Sequence, residues 1–338
     1  MTDAPVLTSI RNRTGIVELN RPKALNSLNL EMIELISEAL EQWRDDDSVD
    51  QILVKSNHPK AFCAGGDVRA VRDGALEKDW ETVEGYFAAE YDLNARISEY
   101  PKPYIAVIDG VVMGGGLGIS AHGSHLIVTD KAFAAMPELA IGYVTDVGLA
   151  YRSQRMVGNR GKASSEIAKY WGITGYRMYA ADMLYTGLAT GYVEDPDSYI
   201  EEVIAKGVEN VETSTVDGAP LAEKAEEIEA AFRHTTWSEI LDNASPRLRE
   251  ELEEYTASAS PTSLVAALAL YDFEEGVQDV REALNAELRL GSYLVRQPDF
   301  AEGVRAVLVD KTRDADFQPE TVDGVDRQAI LDVVHSAS

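Results

Sequence analysis

The chain has 338 residues, 45% of them apolar, enough to bury a full core as one large or two modest domains. Its 58 acidic against 31 basic residues give a formal charge of -27, which argues against nucleic acid or an anionic membrane surface as a partner. A single cysteine, Cys63, rules out an internal disulfide or a cysteine-built zinc cage, and the five histidines show no ligand spacing, so no metal is expected.

In chain order, the opening MTDAPVLTSIRNRTG has neither the apolar core of a secretory signal nor the character of a transit peptide. With no apolar run of about 18 residues to span a bilayer, a soluble cytoplasmic protein is expected. TGIVELN reads as a short strand. In RPKALNSLNLEMIELISEALEQWRDD, the apolar positions Met32, Ile33, Ile36, Ala39, Leu40 and Trp43 recur at helical spacing. QILVKS is the next strand, KAFCAGGDVRA a glycine-containing loop, and WETVEGYFAAEYDLNARISEY a long helix that stops before Pro101. KPYIAVIDG, a buried strand, runs into a glycine cluster, and SHLIVTD and KAFAAM follow as further strands. This alternation predicts an α/β domain over residues 1–195. From residue 196 to 338 the composition turns Glu- and Ala-rich with helical periodicity, and one further short helix is expected near the end of a polar tail. No internal repeat and no low-complexity linker is apparent.

The cluster in VVMGGGLGISAHG admits three readings. Gly116, Gly118 and Ala121 match G-x-G-x-x-A after a strand, with Asp130 placed as a ribose-binding acid would be. Against this, a dinucleotide-binding βαβ unit needs a crossover helix of at least about ten residues, and only ISAHG separates Gly118 from Ser124. No G-x-x-x-x-G-K-[ST] is present either. A second reading is that the glycines allow close packing of backbones. The third joins this loop to FCAGGD. Each follows a strand, so free N–H groups of both could face one cleft and stabilise negative charge developing on a carbonyl oxygen.

LNRPKALNSL, KAFCAGGD, KPYIAVIDGVVMGGGLG, AMPELAIG and YTGLATGYV, in this order and spacing, are similar to the enoyl-CoA hydratase/isomerase (crotonase) superfamily. Within it, EYDLN, ASPTSL and DFAEGVRAVLVDK resemble the 3-hydroxyisobutyryl-CoA hydrolase branch, over nearly the whole chain. The resemblance implies a crotonase-like α/β spiral of strand-strand-helix repeats with a helical C-terminal region that covers the acyl site or mediates assembly. The implied activity is hydrolysis of 3-hydroxyisobutyryl-CoA or a close 3-hydroxyacyl-CoA, as in valine breakdown. No cofactor is implied, because coenzyme A enters as part of the substrate, and a homo-oligomer is expected.

By the same resemblance, the N–H groups of Gly66 and Gly115 form the oxyanion hole, and Lys23 and Leu25 lie along the coenzyme A moiety. Glu138 is the principal catalytic group, as general base on water or as a nucleophile forming an anhydride. Asp146 is the second acid, binding the 3-hydroxyl or positioning water. The alternative for Asp146 is a helix N-cap ahead of VGLAYRSQRM. Glu90 matches a substrate-contacting position; the alternative is a solvated or salt-bridged helix glutamate.

Three departures stand out. Hydratases of the superfamily carry a second glutamate where this chain has Gly118, so the pair Glu138 and Asp146 favours thioester hydrolysis over hydration. Hydratase or isomerase activity and a catalytically weak acyl-CoA-binding protein remain as rivals. Where the hydrolase pattern reads GLFPDVGGGYFLPRL, this chain has GYVTDVGLAYRSQRM, and Gly191 stands where the family has a histidine. Cys63 has no histidine close in sequence to activate it and reads as a buried small hydrophobe.

Overall fold

The computed structural model describes residues 4–336. Two strands, β1 (Val6–Arg11) and β2 (Thr14–Leu19), open the chain as an antiparallel hairpin. β1 has no clear sequence signal, because VLTSIR alternates poorly and most of its side chains face outward. α1 (Leu30–Arg44) starts at Asn29, whose side chain accepts the Met32 N–H, and it buries the Met32, Ile33, Ile36, Ala39, Leu40 and Trp43 stripe.

Next come β3 (Gln51–Ser56), β4 (Ala61–Cys63), α2 (Val68–Glu77) and α3 (Trp80–Ser98). They are followed by β5 (Tyr104–Ile108), β6 (Val111–Met113) and α4 (Gly115–Ala121), then β7 (His125–Val128) and β8 (Phe133–Ala135). Two-residue strands β9 (Met178–Tyr179) and β10 (Gly191–Tyr192) complete the sheets.

From β3 to β8, successive strands alternate between two sheets. The six-stranded sheet has the order β1-β2-β3-β5-β7-β10 and is parallel beyond the first hairpin. The four-stranded sheet has the order β4-β6-β8-β9, with β4, β6 and β8 parallel. The pairs β3/β4, β5/β6 and β7/β8 each send the first member to the larger sheet and the second to the smaller, which makes the path a spiral. This is the expected crotonase-like architecture.

Both faces of the larger sheet are buried, as the near-continuous apolar runs require. Val17, Ile52, Val54, Ala106, Ile108 and Val128 point to the main core, while Ile16, Leu53, Ile105, Val107 and Ile127 meet Tyr199, Val203 and Ile204 of helix Pro196–Lys206. Beyond residue 196 the described chain is helical, and its helices fold back on the first half. Helix Val280–Leu294 packs on α3, and helix Pro298–Val304 packs on α2 and on the 3₁₀ turn Glu138–Ile141.

The glycine cluster is more ordered than its sequence suggests. Gly115, Gly116, Leu117, Gly118 and "ISA" form α4, a helix of seven residues that are all buried, so tertiary packing overrides poor glycine propensity. It connects β6 of one sheet to β7 of the other, so it is no βαβ crossover.

Candidate active site

Three parallel neighbours, β4, β6 and β8, end on the same side of the small sheet, the side where α/β proteins bind ligands. Their continuations deliver Gly66, Gly115 and Glu138 to one place. Gly66 lies in a parallel bridge with Leu28, and it is Leu28 that makes both bonds, donating to Gly65 O at 2.8 Å and accepting from Asp67 N at 2.7 Å. The N–H of Gly66 therefore points away from that partner. Gly115 is the first residue of α4, where a helix N–H has no intrahelical acceptor. A Cβ on Gly115 would collide with the Glu90 carboxylate and lie 3.3 Å from Gly66 N, so only glycine allows the two amides to stand side by side.

Three carboxylates close around this pair. Glu90 projects from α3 and is 2% exposed, Asp146 5% and Glu138 9%. Oε1 of Glu90 and Oε2 of Glu138 are buried without a hydrogen-bond partner among the described residues. Glu138 reaches the backbone at Gly114, where an added Cβ would meet its Oε1 at 2.7 Å. Burial, then the neighbouring Asp146, pushes the carboxyls of Glu90 and Glu138 well above their usual range. Burial lifts Asp146 to about 7, opposed by the hydrogen bond from Tyr91. Buried acids whose titration is displaced upward are what proton transfer near neutral pH needs.

The loop carrying Asp146 is held from several sides. Tyr91 donates to Asp146 Oδ2 at 2.7 Å, and the Tyr143 hydroxyl lies 3.1 Å from that of Tyr91. Val147 adopts φ 53°, a left-handed conformation that a β-branched residue seldom takes. His122 Nε2 lies 2.6 Å from Val147 O, and Gly148 N donates to Glu287 Oε2 at 2.8 Å. Burial, then the charge of Arg152, lowers His122 to about 4, so the ring is neutral and its Nε2–H donates to that carbonyl. The next helix, Leu149–Ser153, is capped by Gly148 rather than by Asp146, whose side chain is free for the site.

Lys23 and Leu25 sit on the exposed 3₁₀ turn Pro22–Ala24 and its end; Leu25 is 44% exposed, and its carbonyl accepts from Ala64 N, which ties the turn to the Gly66 loop. Cys63 is fully buried, donates to Asn26 O at 3.0 Å, and is pushed by burial up to about 12, which fits a packing role. Gly191 lies in β10 with an added Cβ 2.7 Å from Thr213 Cβ, leaving no room for an imidazole. No group of three or more metal-binding side chains and no helix long and apolar enough to cross a membrane is found among the described residues.

Sequence reasoning missed Tyr91, Tyr143, His122 and Glu287. Glu287 did leave a trace: it sits on the same helix stripe as Ala283, Leu284, Leu290 and Leu294, where a charge is out of place.

The chain matches the family model described as enoyl-CoA hydratase/isomerase over residues 14–334. It is 37% identical over 332 residues to the 3-hydroxyisobutyryl-CoA hydrolase, mitochondrial, of Xenopus laevis, covering 92% of this chain and 83% of the relative. A crystal structure of a carnitinyl-CoA dehydratase from Mycobacterium thermoresistibile aligns with a TM-score of 0.90 at 32% identity, over 99% of this chain and 97% of the other. An enoyl-CoA hydratase from Rhodobacter sphaeroides aligns with a TM-score of 0.89 at 30% identity, over 98% and 97%.

Proposed function

The chain belongs to the enoyl-CoA hydratase/isomerase family, and from that premise we propose that it is a thioester hydrolase converting 3-hydroxyisobutyryl-CoA to the free hydroxy acid and coenzyme A, a step of valine breakdown. The observation that carries this reading is the crowding at Gly118. A Cβ there would lie 2.8 Å from Asn94 Nδ2 and 2.9 Å from Val147 Cβ, so the position cannot carry the second glutamate of a hydratase. The acid that accompanies Glu138 is instead Asp146, on the other side of Val147.

The amides of Gly66 and Gly115 hold the thioester oxygen, each strengthening as that oxygen gains charge and contributing about 3 kcal/mol to the barrier reduction. Glu138, ionised, takes a proton from water, and the hydroxide adds to the carbonyl carbon. As the tetrahedral intermediate collapses, the C–S bond breaks and the sulfur takes the proton from Glu138, so the carboxylate is regenerated. Direct attack by Glu138 through an anhydride uses the same groups. Asp146 accepts the hydroxyl on the third carbon, and Glu90 borders the acyl site. Lys23 and Leu25 flank the coenzyme A. The reaction calls for no metal or redox cofactor.

The test is free-thiol release from 3-hydroxyisobutyryl-CoA by the purified protein and by Glu138→Gln. Rapid release, reduced at least about a hundredfold by the substitution, supports the proposal. The two structurally similar proteins are a carnitinyl-CoA dehydratase and an enoyl-CoA hydratase, which favours hydration as the second reading, so crotonyl-CoA is assayed alongside. Hydration of crotonyl-CoA without thiol release from the hydroxyacyl thioester would replace the hydrolase by the hydratase.

A further inference from the structure

Asp146 is buried in surroundings that disfavour its charge. Tyr86, Glu90 and Tyr91 face it from α3, Glu138 and Tyr143 from its own loop region, and Glu287 from helix Val280–Leu294. Every one is an acid or a phenol. Apart from its own backbone, the group that favours its ionised form is the Tyr91 hydroxyl, which donates to Oδ2 at 2.7 Å.

The single proton of Tyr91 is thereby committed to Asp146. Its hydroxyl oxygen lies 3.1 Å from that of Tyr143, so on this pair Tyr143 is the donor and Tyr91 the acceptor. Donation from Tyr143 polarises the Tyr91 O–H and strengthens its bond to the carboxylate. Packing aims the Tyr143 hydroxyl. Its ring stacks on Phe87 at 5.2 Å between centroids with 13° between planes, and Phe300 backs it at 5.8 Å. The hydroxyl sits over Gly291, in the last turn of helix Val280–Leu294, where any Cβ would collide with it. A glycine inside a helix costs about 1 kcal/mol relative to alanine, and here its absent side chain makes room for one phenol.

We propose that Tyr143 and Tyr91 are positioning residues that act in series on Asp146: the phenol chain holds one carboxylate oxygen satisfied and ionised, and so reserves the other for the hydroxyl on the third carbon of the acyl group. This rests on the reading of the substrate as a 3-hydroxyacyl thioester. The chain then sets specificity for the hydroxyl, because a deoxy acyl group leaves a buried ionised acceptor unpaired.

The experiment has two arms. In the first, the protonated-carboxyl infrared band that disappears in Asp146→Asn is titrated against pH in the wild-type protein, Tyr91→Phe and Tyr143→Phe. Losing one hydrogen bond to a carboxylate raises its midpoint by about one pH unit for Tyr91→Phe, and by about half that for Tyr143→Phe. In the second, kcat/KM is measured for 3-hydroxyisobutyryl-CoA and for isobutyryl-CoA. The preference for the hydroxylated substrate should fall about tenfold in Tyr91→Phe and about threefold in Tyr143→Phe. An unmoved midpoint in Tyr143→Phe, or equal losses on both substrates, overturns the proposal. Because the infrared arm needs no turnover, inactivity toward both thioesters would count against the hydrolase reading while the phenol chain is still judged by the titration.

Discussion

At Gly118 the backbone of α4 runs against Asn94 of α3 and Val147 of the acid loop. Both polar atoms of the Asn94 amide are buried without a partner among the described residues, so this contact is tight and already costly. Gly118→Ala therefore overpacks the site and is expected to lower stability by about 1–3 kcal/mol, read from urea unfolding. Gly118→Glu is expected to give no crotonyl-CoA hydration, since the added carboxylate displaces Val147 and Asp146 instead of joining Glu138. Hydration gained by that variant would show that crowding is not what separates this chain from hydratases.

The loop over 143–148 is an element held by others rather than by its own propensity. The φ of 53° at Val147 costs on the order of 1–3 kcal/mol, and it persists because the carbonyl of Val147 is bound by His122 and the N–H of Gly148 by Glu287. Glu287→Ala leaves that N–H buried without an acceptor, a penalty of about 1–3 kcal/mol, and releases the turn that aims Asp146. kcat for thiol release should fall about tenfold or more, whereas Glu287→Gln, which keeps an acceptor oxygen, should retain most of it. Equal loss in both variants would mean that the charge of Glu287, and not its hydrogen bond, is what matters.

Across the whole molecule, a formal charge of -27 is joined by a set of buried acids with raised titration: Glu90, Glu138, Asp146, Glu274 and Glu287. Burial lifts Asp146 to about 7 and Glu274 to about 8. Since the fold raises these values, the stability they contribute is fully present below the unfolded-state pKa near about 4 and is lost as pH climbs through the folded values. The melting temperature is therefore expected to fall between pH 5 and pH 8. Salt should recover the share due to surface repulsion, and Glu274→Gln, by removing a buried group with no hydrogen-bond partner among the described residues, should flatten the fall. A melting temperature that rises across this interval would contradict the assignment of these acids as protonated in the fold at low pH.

What the sequence determined by itself is what local spacing encodes. The apolar stripe of α1, the helix that ends before Pro101, the strand-and-glycine-loop pattern, and the all-helical second part could each be read from a short window, because periodicity and turn residues act over a few positions. The loops bearing Gly66, Gly115 and Glu138 were legible for the same reason, each being a motif a few residues long. Only the tertiary structure decided that alternate strands go to different sheets, so that β4, β6 and β8 end together. It also decided that Tyr91 meets Asp146 across 55 residues and that Glu287 reaches Gly148 across 139. These side chains carry no local signature of partnership. Their chemistry arises from burial and from distances of about 3 Å, which no window of sequence contains.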